Sequence, residues 1–151
     1  MPTALLAVAL TLGAGLLLAR RPPQVEVRVR AGRLVVELGP LDALWALRRS
    51  LSVPATAVTD VAVLPRPAVG PPGLRLPGTH LPGLLTAGVY GVGGRRSFWD
   101  VRRGPEVLLV TCATADDPGR AGPRATFARL VLEVDRPHEV ADRLRGELGL
   151  R

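Results

Sequence analysis

Few side chains in this sequence are of the types that carry out reactions or hold metal ions. The chain has two histidines, His80 and His138, and one cysteine, Cys112. A zinc-type site needs several such ligands at short, regular spacing, and these three residues lie far apart. Cys112 ends an apolar run that starts at Val107, where a buried and unreactive thiol is the usual outcome. The sequence therefore predicts no metal site and no bound cofactor.

The serines and the glycine-rich stretch offer no better start for catalysis. Enzymes of the α/β-hydrolase type place their nucleophilic serine on a sharp turn, whereas Ser50, Ser52 and Ser97 all fall in segments that we interpret as strands. The stretch 88–94, GVYGVGG, superficially resembles a phosphate-binding loop, but it lacks the Gly-Lys-Ser/Thr ending. We expect a protein that is not an enzyme.

The candidate binding residues are basic. Arg75, His80, Arg95 and Arg96 lie in or near a proline- and glycine-rich stretch at 65–83. Together they could form an arginine-rich rim for an anionic lipid head group or a small anionic ligand. The formal net charge of +7 favours anionic neighbours in general. Nucleic acid is a weaker candidate, because the basic segments lack interleaved aromatic side chains on which bases would stack.

The N-terminal segment has the length and composition of a membrane anchor. Residues 2–19 carry no charged side chain. As a helix of ~18 residues they would span ~27 Å, close to the thickness of the hydrocarbon core. Arg20 and Arg21 follow directly and would flank the membrane, and two consecutive prolines would end the helix. The segment predicts a single-pass protein.

A cleaved signal peptide and a helix buried in the core are the alternatives to an anchor. A signal peptide would carry positive charge before the apolar run and a small-residue cleavage site after it, whereas this segment has its charges after the run. Because the basic residues follow the segment, the positive-inside rule places the next domain in the cytoplasm. We expect an anchor with a short juxtamembrane segment at 1–23 and a cytoplasmic-face domain at 24–151, in the inner or plasma membrane.

The first half of the domain is predicted to be β-structure. Apolar and charged side chains alternate along 24–30 and again along 33–38, around a short turn that contains glycine, which is typical of a hairpin. The stretch 41–53 fits both helical and strand spacing, and the neighbouring strands favour strands there. A further strand is predicted over 58–65.

The second half is predicted to continue with strands and to end in a helix. Proline excludes helices and central strands from 65–83, which indicates a stiff loop. Four strands are expected after it, at 84–92, 95–102, 106–113 and 126–134. In the last of these strands Arg129 and Glu133 should face outward. Pro137 suits the first position of a closing amphipathic helix, so the predicted fold class is mainly β with a C-terminal α-helix.

Four stretches carry a resemblance to a known family: LDALWALRRSLSVP at 41–54, PGTHLPG at 77–83, SFWDVR at 97–102 and LVLEVDRP at 130–137. With the order of hairpin, further strands and closing helix, they resemble the bacterial pleckstrin-homology-like (PH-like) domain proteins, in particular uncharacterised membrane-anchored ones from GC-rich bacteria. The resemblance implies a partly open β-barrel that the C-terminal helix caps. It implies no enzymatic activity.

These observations lead to one functional expectation and one alternative. The leading expectation is a membrane-anchored, non-catalytic PH-like interaction domain on the cytoplasmic face, which binds a protein partner or a second copy of itself. The alternative is direct binding of anionic lipid or a small ligand through the arginine-rich rim. Partner identity, oligomeric state and biological process have no signal in the sequence.

Overall fold

The computed structural model describes residues 24–46, 48–71, 75–81, 85–117, 119 and 121–151. The predicted anchor and its flanking residues Arg20 and Arg21 lie outside these ranges. Among the described residues, no helix is both long enough and apolar enough to cross a membrane.

Among the described residues, nine strands form two sheets, and two α-helices accompany them. A three-stranded antiparallel sheet has the order β1-β2-β3, and a six-stranded sheet has the order β4-β8-β9-β7-β6-β5. The strands are β1 Val25–Arg30, β2 Arg33–Leu38, β3 Ser50–Pro54, β4 Val58–Pro65, β5 Arg75–Leu81, β6 Leu85–Tyr90, β7 Ser97–Val101, β8 Glu106–Cys112 and β9 Arg129–Leu132. The helices are α1 Pro40–Ala46 and α2 Pro137–Leu148.

The predicted class, mainly β with a C-terminal helix, is confirmed, and the barrel is not. Neither sheet closes on itself, because β1 and β3 remain as edges of one sheet and β4 and β5 as edges of the other. The closing helix α2 begins at Pro137, as predicted. One pairing, between β7 and β9, is parallel, and no local sequence pattern indicates it.

The N-terminal hairpin forms as predicted. β1 and β2 pair in register from Val25 opposite Leu38 to Arg30 opposite Arg33. The two connecting residues, Ala31 and Gly32, have φ values of 47° and 72°, which is the left-handed geometry of a type I′ turn. This turn matches the right-handed twist of the two strands.

The prediction of strands over 41–53 is wrong for its first half. Pro40 begins the helix α1, where its fixed φ and missing N–H do no harm. Asp42 lies in the first turn, where the helix dipole favours a carboxylate. A strand, β3, follows only from Ser50. Helix α1 packs against β2 and against the half of the large sheet formed by β5, β6 and β7.

The prediction of a stiff loop throughout 65–83 is also wrong. A short 3-10 turn spans Arg66–Val69, and β5 follows at Arg75–Leu81. β5 contains Pro77, which cannot donate to a neighbouring strand, and it lies at the edge of the six-stranded sheet. The rule that keeps proline out of central strands therefore holds, whereas the inference from proline to loop does not.

Apolar side chains cluster on both faces of the six-stranded sheet. On its inner face, side chains such as Phe98, Leu108 and Leu130 join the three-stranded sheet and α2 in the main core. On its outer face lies a second, smaller apolar cluster. Its buried members are Val69, Tyr90, Trp99, Val101, Val107 and Val131.

Helix α2 protects one edge of each sheet. Arg143 donates from Nη2 to the carbonyl oxygen of Val27 in β1 at 2.7 Å, and Arg145 donates from Nε to that of Val61 in β4 at 2.8 Å. Unpaired strand edges are liable to pair with other chains. These two arginines occupy edge carbonyls that would otherwise be open to such pairing.

Candidate functional site

A cleft lies on the outer face of the six-stranded sheet. We call it the outer cleft; it has a volume of about 410 Å³. Trp99 and Val101 of β7 form its floor, and the segment after β4 forms a wall with Pro67 and Pro71. The remaining lining residues are Arg66, Gly70 and Thr86. The result is an apolar floor with a stiff, proline-containing wall.

Strand β7 positions the aromatic side chain of this cleft. Trp99 is 5% exposed, and its indole Nε1 donates to Ser97 Oγ at 2.9 Å. Tyr90 of the neighbouring strand packs edge-on against it, with ring centroids 6.3 Å apart. Hydrogen bond and ring contact fix the indole in one orientation. Trp99 therefore belongs to the apolar cluster and also forms the floor of the cleft.

A cluster of buried ionisable side chains lies at the opposite face of β7, beneath α1. Its members are Asp42, Asp100, Arg102 and Glu133. Arg102 donates from Nη2 to Asp42 Oδ1, and the backbone N–H of Gln24 donates to Asp42 Oδ2 at 3.0 Å. Asp42 therefore joins α1, the end of β7 and the start of β1.

The side chain of Glu133 does not point in the direction that the alternating pattern predicts. It was predicted to face outward, yet it is 9% exposed. Its Oε2 accepts hydrogen bonds from the backbone N–H groups of Arg102 at 2.8 Å and Gly104 at 2.9 Å. A side chain on Gly104 would collide with this carboxylate. Glu133 thus shapes the turn between β7 and β8.

Asp100 is the group with the most altered acidity. The pKa of its carboxyl group is raised to about 8, mainly by burial; the carboxylates of Asp42 and Glu133 contribute to the increase, and Arg102 opposes it. Its Oδ2 atom has no hydrogen-bond partner among the described residues. At neutral pH this carboxyl group is mainly protonated. It therefore avoids adding a further negative charge to the cluster.

The four residues of the predicted rim do not form one group. Arg75 is opposite Tyr90 on the neighbouring strand, and Tyr90 is opposite Ser97 on the next one. Arg75 and Arg96 therefore lie at the same end of the sheet, two strands apart and roughly 10 Å from one another. Arg95 and Arg96 are exposed and directly precede β7. His80 pairs with Thr86, which pairs with Val101. His80 is therefore at the opposite end.

A further arginine joins the end that carries Arg95. Arg129 of β9 pairs with Ser97 of β7, and Arg95 and Arg129 both line a groove of about 780 Å³. The same groove contains Asp116, whose Oδ2 accepts the N–H of Gly94 at 2.9 Å. This groove therefore mixes both signs of charge. Arg129 was predicted to face outward from its strand, but no local pattern indicated that it lies beside Arg95.

The remaining candidate residues are Cys112 and His138. Cys112 is buried, and burial raises the pKa of its thiol to about 12, which makes it a poor nucleophile. His138 contacts both carboxylate oxygens of Glu106 at 3.2 Å at the exposed start of α2. No group of three or more potential metal ligands occurs within the described ranges.

No family model, no curated protein and no solved structure matches this chain. Its function therefore has to be inferred from its own residues and their geometry.

Proposed function

We propose that this chain is a membrane-anchored, non-catalytic interaction domain of the PH-like type, with the domain on the cytoplasmic face. The domain binds a protein partner, or a second copy of itself, at the outer cleft. The main support for the proposal is the floor of that cleft. There Trp99, held in one orientation, and Val101 lie next to the exposed prolines of the wall, Pro67 and Pro71. A concave apolar surface of this kind accepts the apolar side chain of a partner.

The stiffness of the wall supports a preformed site. Pro67 and Pro71 have few backbone conformations to lose on binding, and Arg66 donates to the carbonyl oxygen of Arg102, which ties the wall to the sheet. The order of a hairpin, further strands and a closing helix supports the PH-like part of the proposal. The uncharged segment 2–19, followed by Arg20 and Arg21, supports the anchor.

The alternative function, binding of an anionic lipid or small ligand by the predicted rim, has one supporting observation. Arg75, Arg95 and Arg96 lie at one end of the six-stranded sheet, and Arg129 shares a groove with Arg95. Asp116 and Asp117 line the same groove and reduce its positive charge. We therefore place this alternative second.

Site-specific photo-crosslinking of the full-length chain in cells tests the leading proposal. A photoreactive residue at position 71 lies at the outer cleft, and the matched control at Arg30 lies on the exposed end of the N-terminal hairpin. We expect a reproducible protein adduct from position 71, in membranes washed at alkaline pH, that position 30 does not give. Identical patterns from both positions would contradict the cleft. Loss of the chain from washed membranes would contradict the anchor.

A further inference from the structure

Helix α1 presents an exposed apolar and basic surface. Leu44 is 65% exposed, and the only comparably exposed large apolar side chain among the described residues is Val92, at 59%. A groove of about 690 Å³ brings Leu44 together with Arg48 and Arg49. We call Leu44, Arg48 and Arg49 the α1 surface. Within the described part of the chain, neither arginine forms an ion pair, and the guanidinium group of Arg48 lies over the ring of Phe127, 5.8 Å from its centroid.

This surface lies next to the point where the N-terminal segment enters the domain. The N–H of Gln24 donates to Asp42 in the first turn of α1, and the carbonyl oxygen of Gln24 accepts from Gly39 at 2.7 Å. The carbonyl oxygen of Arg49 accepts from Leu38 at 2.9 Å. The distance between Gln24 and Leu44 is therefore roughly 10 Å, which is the sum of about one helical turn and one hydrogen-bonded contact.

The short link to the predicted anchor limits how far this end can be from the bilayer. From Ala19 to Gln24 the chain extends at most ~18 Å, and the polar head-group layer occupies roughly 5–7 Å of that distance. Gln24 must therefore remain close to the lipid surface. This step rests on the proposed function, since it takes residues 2–19 as the membrane anchor.

Charge decides which side of Gln24 meets an anionic leaflet. On one side of Leu38 lies the α1 surface with its two arginines. On the other side, a second groove contains Glu26, Glu37 and Asp135. On the second side Glu26 pairs with Arg28 and Asp135 with Arg136, whereas Arg48 and Arg49 form no ion pair with the described residues, so anionic lipids attract the first side more strongly. The domain should therefore tilt towards α1.

We propose that the α1 surface docks on the anionic leaflet that holds the anchor, with Leu44 in the interfacial layer and Arg48 and Arg49 on lipid phosphates. An exposed leucine with flanking arginines has the chemistry of interfacial binding. Helix α1 packs with the main core on the inner face of the six-stranded sheet, whereas the outer cleft lies on the outer face. The docked domain therefore keeps the outer cleft open to a partner.

Depth-dependent quenching in vesicles tests this docking. The full-length chain carries one fluorophore, at Leu44→Cys or at the matched control Val92→Cys, in vesicles with brominated lipids. The vesicles contain either phosphatidylglycerol or only zwitterionic lipid. Because Cys112 is buried and its thiol has a pKa of about 12, the parent chain should label little and serves as the blank.

We expect stronger quenching at position 44 than at position 92, and only with anionic lipid. Arg48→Gln and Arg49→Gln should each lower the docked-to-undocked ratio about five-fold. Provided that the chain floats with the vesicles, three results would overturn the docking: equal quenching at both positions, stronger quenching at position 92, or quenching that does not depend on lipid charge. If the chain fails to float with vesicles at all, the anchor is wrong and the docking falls with it.

Discussion

Two exposed surfaces of this domain have nearly the same chemistry and different positions. The α1 surface combines a leucine with two arginines beside the entry of the chain at Gln24. The second surface, which we call the β6–β7 turn surface, combines Val92 with Arg95 and Arg96. It directly precedes β7. At the other end of β7, ~13 Å away, Arg102 pairs with Asp42, and Asp42 accepts the N–H of Gln24. Side-chain chemistry alone does not separate the two surfaces; their distance from Gln24, and so from the proposed anchor, does.

The two surfaces are also held in different ways. Helix α1 is joined to the large sheet by the ion pair of Asp42 with Arg102, whose side chains are 1% and 4% exposed. The β6–β7 turn is held by the exposed carboxylate of Asp116, which accepts the N–H of Gly94. A buried pair of charges tolerates the loss of one partner poorly, whereas an exposed hydrogen bond contributes little. The comparison predicts a graded series of effects.

The largest effect should come from Arg102→Met. This change leaves Asp42 buried without its cation, and we expect a loss of about 5 kcal/mol in the free energy of unfolding. Chemical denaturation of the full-length chain in detergent measures it. The double variant with Asp42→Leu should recover much of the loss, because it removes the isolated charge. A loss below about 1 kcal/mol for Arg102→Met would contradict the proposed attachment of α1.

The next effect concerns pH. The folded pKa of Asp100, about 8, lies above its ordinary value of 3.8. The folded state therefore favours the protonated form, so that the contribution of Asp100 to stability is fully present below pH 4, is lost as the pH rises to 8, and is level above that. Asp100→Asn should remove this slope and stabilise the protein by up to about 4 kcal/mol at pH 7. Thermal unfolding of both proteins between pH 4 and pH 9 measures it, and parallel curves would show that Asp100 is ionised at neutral pH.

A smaller effect is expected at the other surface. Asp116→Ala removes the acceptor for the N–H of Gly94 and should reduce stability by about 1 kcal/mol. Amide hydrogen exchange should become faster in the β6–β7 turn and stay unchanged in α1. Equal changes in both regions would mean that the two surfaces are not held independently.

The smallest effects on stability should come from the exposed apolar side chains themselves. Leu44→Ala and Val92→Ala should each change the free energy of unfolding by less than about 0.5 kcal/mol, since both side chains are mainly in solvent. Only Leu44→Ala should weaken the association of the domain with anionic vesicles. A large loss of stability for either variant would mean that its side chain serves the fold.

Sequence patterns predicted an element, the N-terminal hairpin, whose shape depends on residues that are neighbours in sequence. The hairpin around Ala31 and Gly32 follows from alternation and a turn with left-handed φ values. The short helix α1 was missed because seven residues give too little periodicity to separate helix from strand. Its signals were Pro40 at the first position and Asp42 in the first turn. The position of Asp42 also depends on Arg102, which is sixty residues away in sequence.

Non-local pairing explains the errors at the candidate sites. The rim residues seemed to form one group because Arg75 and His80 are close in sequence, but β5 separates them along its length. Glu133 appeared to face solvent because its neighbours alternate, yet it accepts two backbone N–H groups from the β7–β8 turn. Trp99 is buried in its strand, and its position in the floor of the outer cleft depends on the segment after β4.

Thiol accessibility in native membranes tests the central claim most directly: the α1 surface faces the bilayer and the β6–β7 turn surface faces away from it. Leu44→Cys and Val92→Cys, each in the full-length chain, would be treated with a membrane-impermeant maleimide in inverted membrane vesicles, with detergent-solubilised protein as the reference. We expect position 92 to react equally fast in both samples and position 44 to react several-fold more slowly in the vesicles. Equal rates at position 44 in vesicles and detergent, or protection of position 92 instead, would contradict it.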